Sequence, residues 1–216
     1  VPFNQQLQVA ASPEENNFID EIVNRKLREL RVPASPLCDD PTFVRRLFID
    51  AMGVVPTPEE YERFLFDDRP SDVKRAALVD EVLSRPEFVD YWSYKWSDLL
   101  LVSGARLRPA AVNAYYEWIR TRVANNTPWD VMVRDLVTAS GSALENGAAN
   151  FYALHQSPEE MAETVAQAFM GLSINCAKCH NHPLEKWTND QYYGMANMFS
   201  RVRAKGWGGD FRSGDG

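Results

Sequence analysis

The stretch Ser157–His180, SPEEMAETVAQAFMGLSINCAKCH, decides how this chain is to be read. It opens on Ser157-Pro158-Glu159-Glu160, a capping box with Pro at the first helical position. Met161, Val165, Ala168 and Phe169 then recur at helical spacing before Gly171 stops the helix. Within a few residues come two cysteines, three apart, with a histidine beside the second.

Working outward, the same Pro-led helical grammar repeats in both directions. Ser12-Pro13-Glu14-Glu15 starts a segment with Ile19, Val23, Leu27 and Leu30 on one stripe. Asp40-Pro41 starts another, with Val44, Leu47, Phe48 and Ala51, closed by Gly53 and Pro56. Thr57-Pro58-Glu59-Glu60 and Ser71-Asp72 each read as an N-cap with an acidic first turn. Pro86 to Val102 carries Phe88, Trp92, Trp96 and Leu99. Further helices begin near Pro109 and at Thr127-Pro128, and the last is capped by Thr188-Asn189-Asp190-Gln191. The aromatic stripes over 88–118 are expected in the core, and the paired acids are helix starts, not catalytic dyads. Ser140 to Asn150, rich in Gly, Ala and Asn, is the expected long loop. No β alternation or repeat is found. The expectation is an all-α, irregular multi-helix domain of eight or nine helices over 14–203, with an N-terminal extension at 1–13 and a Gly-rich tail at 204–216.

Composition narrows the function classes. The 216 residues carry a net charge of −7 and are 45% hydrophobic, enough for a substantial core. Basic residues are dispersed, which argues against a nucleic-acid partner. No apolar run approaches the roughly 20 residues of a membrane helix. Val1-Pro2-Phe3-Asn4 has neither the basic head nor the apolar run of a signal peptide, so the chain reads as a mature form or a piece of a longer precursor. Three cysteines cannot form a disulfide scaffold at this length; two of them point to a site.

That site is Cys176-Ala177-Lys178-Cys179-His180, the C-x-x-C-H signature of c-type haem attachment. Cysteines three apart on one helical turn reach the two vinyl groups of one porphyrin, and the adjacent His180 binds the iron as proximal ligand. Zinc is the alternative, from Cys176, Cys179 and His180 or His182, with a fourth ligand from Cys38 or His155. The second half of a zinc motif is missing. A thioredoxin-like pair would follow a strand, and none is visible. For the distal position the candidates are His155, His182, Cys38, Met170, Met195 and Met198. His182 follows the proximal ligand too closely to wrap round the ring, and is expected to hydrogen-bond near the haem edge. The distal ligand is therefore expected from outside 176–182, with Cys38, His155 and Met195 in front.

The run from Phe169 to Val202, with CAKCHNHPLEKWTNDQYYGMANMFSRV, resembles the second of the planctomycete-specific cytochrome domains, a cytochrome-associated domain of unknown function. SPLCDDPTFVRRLFIDAMGVVPTPEEYERFL, the stretch ending in YWSYKWSDLLLV, and NFYALHQSPEEMAETVAQAFMGLSINC agree in order, so the resemblance spans about 17 to 203. It implies an exported protein with a cytochrome c-type site, often joined to further domains. The haem motif carries over onto Cys176, Cys179 and His180, and the following His-Pro onto His182-Pro183. Trp187, Asp190, Tyr192 and Tyr193 match the W-T-x-D-x-Y-Y run; Trp187, Tyr192 and Tyr193 are expected at the haem edge. Cys38-Asp39-Asp40 matches a C-x-D stretch of some members. Relatives are expected to carry other apolar residues at the Met195 and Met198 positions.

The functional expectation is a periplasmic or otherwise exported monohaem cytochrome domain with one covalent haem c, passing electrons to a redox partner protein or adjoining domains. A haem with an open distal face doing peroxidase-like or small-molecule redox chemistry, and a zinc-stabilised interaction domain, are the alternatives.

Overall fold

Helix starts written into the sequence are found where the caps stand. The computed structural model describes residues 14–155 and 157–204, so the 1–13 extension and nearly all of the 204–216 tail lie outside the described residues. The described residues form ten α-helices and two short 3₁₀ segments, with no strand. The helices are α1 (Phe18–Leu30), α2 (Asp40–Met52), α3 (Pro58–Leu65), α4 (Ser71–Leu83), α5 (Pro86–Leu99), α6 (Pro109–Ala124), α7 (Trp129–Val137), α8 (Asn150–Leu154), α9 (Pro158–Met170) and α10 (Asn189–Met198). No described helix is long and apolar enough to cross a membrane.

Side-chain caps set five of the ten helix starts. Thr57 with Glu60, and Thr188 with Gln191, form reciprocal capping boxes, and the Ser157 hydroxyl accepts the Glu160 N–H. Gly171, at φ 64°, supplies the left-handed C-cap that ends α9 and turns the chain toward the cysteines. Two starts differ from expectation. Asn17, not Ser12, caps α1, its side-chain oxygen accepting the Ile19 and Asp20 N–H groups. Ser71 caps nothing; its hydroxyl donates to the Asp40 carboxylate at 2.7 Å, 31 residues back.

The tenth helix comes from packing. The 3₁₀ segment Gly147–Ala149 and α8 occupy the end of the expected loop and its continuation. Gly147 presses so closely on α6 that a Cβ there would lie 2.2 Å from the Ala114 carbonyl oxygen. Only glycine permits that approach, and the approach imposes order on a segment whose local signals favour a loop.

Two cores result. Val44, Phe48, Ala51, Met52, Phe64, Leu78 and Val82 join α2, α3 and α4 into an N-terminal cluster. A larger cluster runs from Leu100 to Phe199 and includes Tyr115, Ile119, Phe151, Met161, Ile174, Ala177 and Tyr192. Helix α5 spans both: Phe88 packs on the first and Trp96 on the second, where it stacks on Trp129 with ring centroids 4.1 Å apart. The stripe of α1 is not part of either core. Phe18, Ile19, Val23 and Leu30 are exposed, because helical periodicity defines an apolar face without supplying a surface to cover it.

Candidate functional site

The cysteine motif sits on the second 3₁₀ segment, Asn175–Lys178, and the residue that follows it. Side chains three apart eclipse one another in such a turn. Ile174 and Ala177 therefore share the inward side, both fully buried in the larger core. Cys176 and Cys179 share the outward side; both are exposed free thiols. His180 is exposed beside them, and its Nδ1–H donates to the Asn181 carbonyl at 2.7 Å. That bond orients the ring and leaves Nε2 available as a possible ligand. Exposed apolar side chains flank the turn, with Leu184 at 89% and Tyr193 at 45%. Two thiols at this spacing, an oriented imidazole and an uncovered apolar margin form a donor set that fits a covalently held porphyrin.

Helix α10 holds the turn in place. Asn189 Nδ2 donates to the carbonyls of Ala177 and Lys178, each at 2.9 Å, and its backbone N–H donates to Asn181 Oδ1 at 3.0 Å. The Tyr193 hydroxyl donates to the Lys178 carbonyl at 3.3 Å. Tyr192 is fully buried, and its hydroxyl donates to Glu163 of α9 at 2.6 Å. Burial, followed by that carboxylate partner, pushes the Tyr192 hydroxyl well above the ordinary tyrosine range. Trp187 is half-buried against the core, and its carbonyl accepts the His182 N–H at 2.7 Å. His182 serves its own loop: Nδ1 accepts the N–H groups of Leu184 and Glu185 at 3.2 and 2.9 Å.

The distal candidates are scattered. Met195 is buried in the larger core on α10, whereas Met198 and Met170 are 72% and 49% exposed. His155 is 3% exposed, ring against ring with Phe151, at the wall of a cavity. Burial holds its pKa down at about 4. Cys38 belongs to the N-terminal cluster, where it lines a cleft with Phe43, Leu47, Phe88 and Trp92 and its carbonyl accepts Arg75. The structure thus gathers 176–180, His182, Trp187, Tyr192, Tyr193 and Met195 around α10 and leaves Cys38 with other neighbours. Among the described residues, no group of three or more His, Cys, Asp or Glu is placed to hold a metal ion.

The family model described as PSCyt2, a protein of unknown function (DUF1549), matches residues 18–204. The chain belongs to the PSCyt2 family. The match covers the span over which the sequence motifs carry their resemblance. No curated protein and no solved structure matches the chain.

Three residues of this PSCyt2 site escape the sequence reading: Asn181, Asn189 and Glu163. Asn189 had one faint signal, since an Asn inside the first turn of a helix, just after the true cap Thr188, has its side chain free for another task. Glu163 reads as an ordinary polar position of α9. Its partner Tyr192 is 29 residues away, beyond any local pattern.

Proposed function

We propose that this domain is an exported c-type cytochrome module that carries one covalent haem c and passes single electrons to a redox partner or an adjoining domain. One observation carries the reading: Cys176, Cys179 and His180 stand exposed together on one turn, with both thiols free and the imidazole already oriented by Asn181. When bound, the haem iron supplies one-electron redox chemistry.

The chain's own residues do the rest. Cys176 and Cys179 would hold the haem through their sulfurs, and His180 Nε2 would be its nitrogen ligand. Ala177 and Ile174 root the turn in the core, and Asn189 fixes its carbonyls, so the three donors keep their spacing without the cofactor. Leu184 and Tyr193 offer apolar cover at the edge. The zinc reading is less well supported, because the thiols and the two neighbouring histidines do not converge into a metal-holding group.

The test is expression with an export signal in a bacterial host equipped for haem c maturation. Denatured protein is expected to keep its haem on a gel and to show the mass of one added haem. Loss of all colour into acidified organic solvent overturns the proposal. The ferric and ferrous spectra then separate the two haem readings: low spin supports electron transfer, high spin an open distal face. Spectra of Cys38→Ala and Met195→Leu test those two residues as sixth ligand.

A further inference from the structure

The cavity beside His155 is separate from the cysteine turn and has about 400 Å³ of space between the loop after α5, the end of α8 and the first half of α9. His155 lines it, 3% exposed, and its Nε2 is buried without a hydrogen-bond partner among the described residues. A buried ring nitrogen left in that state is costly unless something completes it. Around it stand Glu160, Glu163 and Arg106, with apolar cover from Leu101 and Leu154.

The charges define what fits. Arg106 is already committed, donating to the Leu154 carbonyl at 2.7 Å and pairing with Glu160 at 3.8 Å. Two carboxylates against one guanidinium leave the cavity one negative charge in excess. His155 stays neutral and adds no positive charge of its own. Nε2 donates to neither carboxylate of the cavity, and in the tautomer that carries the proton on Nδ1 it presents a lone pair. The open groups are therefore acceptors, and the apolar wall asks for hydrocarbon. An alkylammonium head has three donors and no acceptor, and its carbon chain suits Leu101 and Leu154. A carboxylate or phosphate would face two like charges.

We propose that this cavity is a binding site for a small primary amine in its protonated form, with His155 Nε2 and Glu163 accepting its N–H groups. None of its lining residues belongs to the 175–180 turn, but His155 is also a candidate sixth haem ligand, so the proposal holds only where that nitrogen is not bound to iron. Its second consequence lies in Glu163, which faces the cavity and also receives the Tyr192 hydroxyl, one residue from the tyrosine that holds the turn.

Three probes with one carbon skeleton test it: butylammonium chloride, n-butanol and sodium butyrate, titrated into the purified protein and followed by amide NMR. Butylammonium is expected to move resonances of residues 101–106 and 154–164, n-butanol more weakly, and butyrate not at all. His155→Gln and Glu163→Gln should each weaken butylammonium about tenfold, the effect of one lost buried hydrogen bond. Gln at 163 can still accept from Tyr192, so the fold is not at stake there. In the unsubstituted protein, the His155 Nε2 resonance is expected to be that of an unprotonated nitrogen and to shift with butylammonium. Equal response to all three probes, shifts spread over the acidic surface, or a site filled by ordered water alone and indifferent to the amine overturns the proposal. A loss of the low-spin haem spectrum in His155→Gln also overturns it, because the nitrogen would then belong to iron.

Discussion

The two core clusters are held by different chemistry. In the N-terminal cluster, helices are tied across their ends by ions. Asp40 at the start of α2 pairs with Lys74 at 2.8 Å and Arg75 at 2.6 Å on α4. Lys74 is itself buried, and it also donates to the Phe64 and Asp67 carbonyls. The Lys74 hydrogen bond, then that from Ser71, holds the Asp40 carboxyl well below the ordinary carboxylate range. The C-terminal cluster is bound mainly by aromatic packing and by hydrogen bonds from neutral donors: Asn189 to the turn, Tyr192 to Glu163, Asn150 to Ala143 and Gly147. Each cluster also has a different surface outcome. The first buries its chemistry in ion pairs, while the second leaves two thiols and an imidazole outside. A scaffold that saturates its polar groups is structural; one that leaves reactive groups oriented and unspent is where function is to be sought.

The sharpest break in that comparison is at the thiols. Cys176→Ala combined with Cys179→Ala should abolish covalent haem altogether while leaving the helical circular dichroism unchanged; Cys38→Ala should leave covalent haem intact. Retention of covalent haem in the double variant removes the functional contrast between the clusters.

Next in size is the N-terminal core. Phe48 is 1% exposed, and Phe48→Ala should cost about 3–5 kcal/mol by denaturant unfolding. Haem content and spectrum of the folded fraction should not change. A spectral shift in that variant would mean that the clusters communicate through α5, the helix they share.

Acid separates the clusters by pH range. His155 has an ordinary value of 6.5 but is held at about 4 by burial, with Arg106 adding to the depression and Glu160 opposing it. The folded state stays neutral there while the unfolded chain takes up a proton, so this contribution is present above about pH 6.5 and is lost as pH falls toward 4. Its size is at most about 3 kcal/mol. Asp40 behaves differently: its folded value lies below its unfolded one, and its stabilisation persists until pH falls below the ordinary carboxylate value of 3.8. Unfolding midpoints measured from pH 7 to pH 3 should therefore decline first through His155, and His155→Gln should flatten that early slope. An unaltered slope in the variant sinks the assignment.

The smallest effect concerns the clamp. Asn189→Ala removes two hydrogen bonds to the turn and should cost about 1–2 kcal/mol. The fraction of protein that acquires covalent haem should fall at the same time, read from absorbance against protein mass. Unchanged haem yield would show that the turn needs no holding.

The sequence by itself determined what depends on near neighbours. Thr57 and Thr188 cap helices through groups three residues away, Gly171 ends α9 by its own backbone freedom, and the C-x-x-C-H spacing sets two thiols on one side of a single turn. These are local interactions, so a short window contains both partners. Tertiary structure alone decided burial and the second partner of each polar group. The α1 stripe of Ile19, Val23 and Leu30 has the same periodicity as stripes that are buried, yet these side chains are exposed and belong to neither core cluster. His155, by contrast, is enclosed by residues from three separate parts of the chain. Asn189 meets the turn 11 and 12 residues away, and Ser71 meets Asp40 at 31. Pairings over such separations are fixed by how whole helices pack, and no local pattern of side chains encodes them.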